Sequence, residues 1–203
     1  MDNIRQMWKK AEEILVKDKS LGPLIKKYSP CKIRPSKKKD YFIDIVDAIV
    51  SQQLSGKAAT TIFGRVRAGL GGEIVPEVIL KTKDEKFRSW GLSRAKTSYI
   101  KDLSKRVISG ELKVNKLDKL SEEEVLTQLI AVKGIGRWTA EMFLMFTLAR
   151  PDVFPVDDLG ISKGMNILLK KTLSAERIGL YAERWKPYRT VAAWYVWKAV
   201  DKG

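Results

Sequence analysis

Residues 125–161 read VLTQLIAVKGIGRWTAEMFLMFTLARPDVFPVDDLGI, and this stretch decides the fold. Leu129 to Val132 closes one helix, Lys133-Gly134-Ile135-Gly136 forms a turn whose two glycines suit unusual backbone geometry, and Arg137 opens the next helix. The pattern is a hairpin between helices. Backbone N–H groups at the second helix's start can reach an anion with the helix dipole assisting, and Lys133 and Arg137 add positive charge. A DNA phosphate suits such a turn, although a plain αα-corner carries the same glycines. From Trp138 to Leu148 the chain is apolar on all sides, which predicts a central helix covered by the others.

Outward from this segment the helical period persists. The N-terminal stretch has apolar residues at positions 4, 7, 8, 11, 14 and 15, spaced for an amphipathic helix rather than a secretory leader. Phe42, Ile45, Val46, Ile49 and Val50 form one stripe; Ala59, Ile62, Phe63 and Val66 form another that fades at Gly71-Gly72. Ile100, Leu103 and Val107 give a shorter one, and Ser121 with Glu124 is a capping-box signal ahead of Val125, Leu126 and Leu129. After an irregular Arg150 to Pro155 stretch, helices are predicted from Leu159 to Leu173, around Ile178 to Trp185, and from Tyr188 to Val200. Only Glu73 to Leu80, which contains Pro76, is ambiguous between strand and helix. The sequence therefore predicts an all-α protein of about nine or ten helices. An N-terminal helical hairpin (1–28) is set off by a polar connector (29–39) with Pro30, Pro35, Lys32, Arg34, Lys37, Lys38 and Lys39, which reads as a solvated loop.

Composition narrows the chemistry. Thirty-nine Lys plus Arg against 24 Asp plus Glu leave +15, so the surface presents excess cation to a polyanion, with nucleic acid the leading partner. With no histidine, Ser-His-Asp and Cys-His nucleophiles and imidazole zinc sites are excluded. Catalysis must run on carboxylates, on lysine, or be absent. The single Cys31 cannot build a disulfide within the chain or a four-cysteine metal site, and an intracellular setting follows. No segment is long and apolar enough to span a bilayer, so no membrane partner is expected.

KGIGRWTA, followed by an apolar helix, a proline-containing loop and the acidic pair Asp157-Asp158, resembles the helix-hairpin-helix DNA glycosylase superfamily. Within it the chain is most similar to the alkylation-repair branch, 3-methyladenine DNA glycosylase II, through VSQQLSGKAA (50–59), GLSRAKTSYI (91–100) and YAERWKPYRTVAAWYVWK (181–198). The likeness runs from about Asp40 onward. It implies a single compact glycosylase core, without the N-terminal α/β domain of longer bacterial members, made of two helical subdomains with a cleft between them. The hairpin motif would occupy about 124–148 and the catalytic loop 150–160.

By that resemblance Asp158 is the catalytic carboxylate. Breaking an N-glycosidic bond develops oxocarbenium character on the sugar, which a fixed anion stabilises while orienting the attacking water. Asp158 sits just ahead of a predicted helix, where dipole and free N–H groups favour an anion; an ordinary helix cap would look the same. Lyase-competent relatives carry a lysine two residues after the hairpin's second glycine, an amine able to form a Schiff base. Trp138 stands there, implying a monofunctional enzyme. Trp138 and Trp197 match the family's pocket positions, and indole faces attract cationic alkylated purines. Lys198, next to Trp197, departs from that design because its cation would disfavour a charged base. Gln52, Gln53 and Leu54 match the loop that fills the gap left by a flipped nucleotide, with Gln53 the leading wedge and Leu54 the second. Lys133, Gly134, Ile135, Gly136, Arg137 and Thr139 complete the DNA-binding set. No cofactor is required, but main-chain carbonyls of Ile130, Val132 and Ile135 would hold a monovalent cation, Na or K, as the family's hairpin often does.

The reading is a repair enzyme that flips and excises alkylated purines from duplex DNA, acting as a monomer wherever the cell keeps its DNA: cytoplasm or nucleoid, or a nucleus. Two alternatives share the hairpin: a non-enzymatic DNA-binding protein, and a glycosylase for deaminated, oxidised or mismatched bases.

Overall fold

The computed structural model describes residues 2–36 and 40–200; Lys37, Lys38 and Lys39 of the basic connector lie outside the described residues. Among the described residues there are twelve α-helices and no strand: α1 (Asp2–Leu15), α2 (Gly22–Tyr28), α3 (Tyr41–Ser51), α4 (Gly56–Gly69), α5 (Pro76–Lys81), α6 (Asp84–Ser89), α7 (Arg94–Ser109), α8 (Glu122–Ile130), α9 (Arg137–Met142), α10 (Leu159–Leu169), α11 (Ala175–Ala182) and α12 (Arg189–Lys198). Two 3₁₀ turns, Val114–Lys119 and Glu183–Trp185, and a π-helical turn, Phe143–Thr147, complete the path. The chain forms two compact units, one of Ser36–Phe143 and the other of Met1–Pro35 with Leu144–Gly203.

The Ser36–Phe143 unit is organised by serine and aspartate caps. Asp40, Ser55, Ser93 and Ser121 each accept a backbone N–H from the first turn of α3, α4, α7 and α8, satisfying donors the helices leave open. Ser121 and Glu124 close the expected capping box. The predicted apolar stripe of α3 (Ile45, Val46, Ile49, Val50) is buried, and α7 packs against α3, α5 and α6 with Ile100 and Leu103 inward. The ambiguous 73–80 stretch resolves as helix α5. Its proline falls in the first turn, where a missing N–H removes no intrahelical bond.

In the other unit α12 is central, packing against α1, α2 and α10 with Val191, Ala192, Ala193, Tyr195 and Val196 buried. Helix α10 ends at Leu169 rather than Leu173. Lys170 takes the left-handed conformation (φ 52°), and Asn166 Oδ1 accepts the Leu173 N–H at 3.0 Å beyond the break. The helix expected around Ile178 to Trp185 is α11 followed by a 3₁₀ turn. Two expectations need correction. The 29–33 part of the connector is not a solvated loop: Cys31 and Ile33 are buried, and Trp8 Nε1 donates to the Ile33 carbonyl at 3.0 Å. Burial pushes the Cys31 thiol pKa up to about 12, so it is a small apolar filler rather than a reactive thiol. Nor is the 138–148 segment covered all round, since Trp138 is 45% and Phe146 41% exposed while Leu144 and Met145 are buried.

Candidate active site

Asp158 caps α10. Its Oδ1 accepts the Ile161 N–H at 2.8 Å and the Trp197 indole N–H at 2.8 Å. Two donors of different origin, a helix start and a side chain 39 positions away, thus fix one carboxylate oxygen of a half-buried residue. The acid beside it, Asp157, is exposed.

The indole reaches Asp158 because α10 carries glycine where α12 comes close. A Cβ on Gly160 would stand 2.8 Å from Trp197 Cδ1 and 3.0 Å from Asp158 Oδ1; one on Gly164, a turn later, would stand 2.4 Å from the Val196 carbonyl oxygen. Phe146 stacks on Trp197, with centroids 5.9 Å apart and planes at 28°, forming a two-ring aromatic surface. The Lys198 ammonium lies 5.1 Å over the Trp194 ring. The loop leading to Asp158 is tied down upstream. Arg189 grips Asp152 through Nε (2.9 Å) and Nη2 (2.9 Å), and the buried Thr190 hydroxyl donates to the Arg150 carbonyl at 2.6 Å while accepting from the Val153 N–H at 2.9 Å.

The hairpin belongs to the Ser36–Phe143 unit. Of its two glycines only Gly134 has the left-handed geometry expected of both (φ 76°). There a Cβ would meet Tyr99 Cδ2 at 2.1 Å, so conformation and close approach both demand glycine. Gly136 is extended at the start of α9 with nothing facing its missing Cβ, which leaves that helix start open. The Lys133 N–H donates to Asp102 Oδ2 at 3.0 Å. Burial works against that carboxylate, but the Lys133 N–H and the Arg106 guanidinium outweigh it and hold its pKa below the usual aspartate range. Arg137 pairs with the buried Glu141 at 2.9 Å, so its charge is partly spoken for inside the protein.

Gln52 Nε2 donates to the Gly134 carbonyl at 2.9 Å and approaches Thr139 Oγ1 at 3.5 Å, joining the 52–54 loop to the hairpin. Gln53 is exposed and left-handed (φ 57°), and Leu54 is exposed beside it. Lys96 donates to the carbonyls of Val50 (2.7 Å) and Gln52 (2.6 Å). These groups, with Tyr99, Trp138, Thr139 and Met142, line a pocket of about 710 Å³. The carbonyls named for a cation come from the end of α8 and the turn after it; that of Val132 accepts the Ile135 N–H at 3.1 Å.

The structure therefore groups the predicted residues in two sets: Asp158 with Trp197 in one unit, and Gln52, Gln53, Leu54, Lys133–Thr139 and Trp138 in the other. Sequence reasoning missed Gly160, Gly164, Phe146, Lys96 and Asp102. Only the glycines left a trace, as an i, i+4 pair of small residues on a helix.

On this all-helical scaffold with its glycine hairpin, the chain belongs to the HhH-GPD superfamily of base excision DNA repair proteins, whose model matches residues 46–188. Among its relatives is the DNA-3-methyladenine glycosylase 1 of Schizosaccharomyces pombe, 38% identical over 89% of this chain and 80% of that protein. Two solved structures are similar. The DNA-3-methyladenine glycosidase from Bacillus halodurans has a TM-score of 0.83 and 37% identity, over 93% of this chain and 88% of that one. The S. pombe 3-methyladenine DNA glycosylase in complex with abasic DNA has a TM-score of 0.81 and 37% identity, over 93% and 95%.

Proposed function

We propose that this protein excises alkylated purine bases of the 3-methyladenine type from duplex DNA by hydrolysing the N-glycosidic bond, with Asp158 stabilising the sugar's developing positive charge and orienting the attacking water. The observation that carries the reading is the doubly held Oδ1 of Asp158: a carboxylate already oriented by Ile161 N–H and Trp197 Nε1 need not reorganise as charge develops. Similarity to relatives named as 3-methyladenine glycosylases supports the substrate class.

In this reading Phe146 and Trp197 offer a cationic base an electron-rich surface, and Trp194 provides a ring that the Lys198 ammonium lies over. Trp138 lines the pocket of the Ser36–Phe143 unit beside Gln52, Gln53 and Leu54, where its indole offers an aromatic surface of its own. Gln53 and Leu54 fill the gap left by the flipped nucleotide, while the backbone of Gly134–Arg137 with Lys133 and Thr139 receives the phosphate. Because Trp138 replaces the Schiff-base lysine, the product is an intact strand with an abasic site. The carbonyls of Ile130, Val132 and Ile135 are neutral oxygen donors suited to Na or K. The Val132 carbonyl keeps a second lone pair after accepting Ile135 N–H. Bound there, the ion would brace the turn. The protein would act as a monomer wherever the cell keeps its DNA.

The test is incubation with methylated duplex DNA, separating free bases chromatographically and probing the strand by gel. Free 3-methyladenine and an uncut, alkali-labile strand are expected. Salt-sensitive binding without base release would favour a non-enzymatic DNA-binding protein, and release confined to deaminated or oxidised bases would favour the other glycosylase class.

A further inference from the structure

We propose that Lys96 is a positioning residue for nucleotide flipping: it holds the 52–54 loop in its inserting shape and ties that loop to the hairpin. The inference rests on the glycosylase reading above for the role of the loop, and on the geometry around Lys96 for the rest.

Helix α3 ends at Ser51, where its last carbonyls run out of helical donors. Lys96 Nζ supplies donors instead, to Val50 O at 2.7 Å and Gln52 O at 2.6 Å, reaching from α7, more than forty residues along the chain. Between the held carbonyl of Gln52 and exposed Leu54 stands Gln53 at φ 57°, a conformation that non-glycine residues adopt sparingly and keep only when their surroundings impose it. Within the loop, the Leu54 N–H donates to the Ser51 carbonyl at 3.2 Å. The Gln52 side chain meanwhile donates to Gly134 O at 2.9 Å.

Helix α7 completes the linkage. Tyr99, three residues after Lys96 and so on the same face, fills the space in front of Gly134. One helix face therefore seats the inserting loop through Lys96 and the phosphate-binding turn through Tyr99. Burial lowers the Lys96 pKa, a cost that a flexible lysine would escape by swinging into water if it had no structural task.

The test compares wild type, Lys96→Met and Lys96→Arg on two duplexes bearing the same N-methylated purine, one with the normal opposite base and one with an abasic spacer opposite. A paired lesion must be forced out of the stack; a lesion with no partner is cheap to flip. Lys96→Met is expected to lower kcat/KM on the paired duplex about tenfold more than on the partnerless one, the scale set by losing hydrogen bonds from a charged donor. Lys96→Arg should recover most of that ratio, since a guanidinium can reach both carbonyls. Equal losses on both duplexes, no loss, or no recovery by arginine would overturn the proposal. Fluorescence of 2-aminopurine next to the lesion supplies a readout independent of chemistry: wild type should raise it on binding and Lys96→Met should not. If wild type frees no base from either duplex, the glycosylase reading fails, while equal 2-aminopurine signals would sink the role of Lys96 separately. Should Lys96→Met not fold, Lys96→Gln, able to serve one carbonyl, must give an intermediate ratio.

Discussion

Gly160→Ala isolates the contact that orients the candidate catalytic carboxylate. The added Cβ would lie 2.8 Å from Trp197 Cδ1, 2.9 Å from its Nε1 and 3.0 Å from Asp158 Oδ1. Restoring ordinary van der Waals separation needs a displacement of about 0.7 Å of the indole, the carboxylate or both. A 2.8 Å bond opened by that much reaches the limit of hydrogen-bond distance and loses most of its strength. Losing a hydrogen bond to a charged group costs about 1.5–3 kcal/mol, which expressed at the reacting centre is a rate loss of roughly 10- to 150-fold. Stability should move less. Overpacking strain of about 1–3 kcal/mol is partly offset by alanine's helix preference of up to about 1 kcal/mol. Gly64→Ala is the contrast: Gly64 is an exposed position inside α4 with nothing near its missing Cβ, so only the helix preference acts, and Tm should rise by about 2–4 °C with excision unchanged. Single-turnover base release and thermal melts of both variants settle the matter. A Gly160→Ala enzyme that releases base at the wild-type rate would refute the claim that the Trp197–Asp158 bond matters.

Three more outcomes follow from the same geometry. Asp102→Asn should loosen the hairpin and weaken binding to abasic duplex several-fold. Because the folded pKa of Asp102 is depressed, its stabilisation is complete above the ordinary aspartate value and lost as pH falls through the folded one; the variant should therefore show a shallower acid limb in stability measured between about pH 5 and 2. Lys133→Ala, read by fluorescence anisotropy across salt concentrations, should reduce the slope of log K against log salt by about 0.9 if the ammonium meets a phosphate, whereas an unchanged slope would remove it from the interface. Asp152→Asn breaks the fork on Arg189 that anchors the loop ahead of Asp158, and a loss of about 1–3 kcal/mol by denaturant titration is expected.

What could be read ahead of the structure was local. Ser121 and Glu124 announce a helix start because both partners of a capping box lie within one turn. Gly134 betrays the hairpin because only glycine adopts φ 76° without strain against a neighbouring ring. Asp158 is legible as a cap for the same reason of short range, but the feature that sets it apart, the Trp197 indole, arrives from a helix placed by Gly160 and Gly164. The tie of Gln52 to Gly134 spans 82 positions, and the Lys96 bonds span 46 and 44, distances over which periodicity carries no information. Phe146 was concealed by its surroundings: in a largely apolar run nothing distinguishes a core ring from one exposed and stacked on Trp197. The connector misled for the opposite reason, since its many cations outnumber the two residues, Cys31 and Ile33, that pin it inward.

The most direct test of the central claim removes one charge and little else. In Asp158→Asn the amide oxygen can still accept from Ile161 N–H and Trp197 Nε1, so the cap survives while the anion does not. Release of N-methylated purine in single turnover should fall by about 100-fold or more, with affinity for abasic duplex held within about threefold. Base release by Asp158→Asn at the wild-type rate would contradict the account.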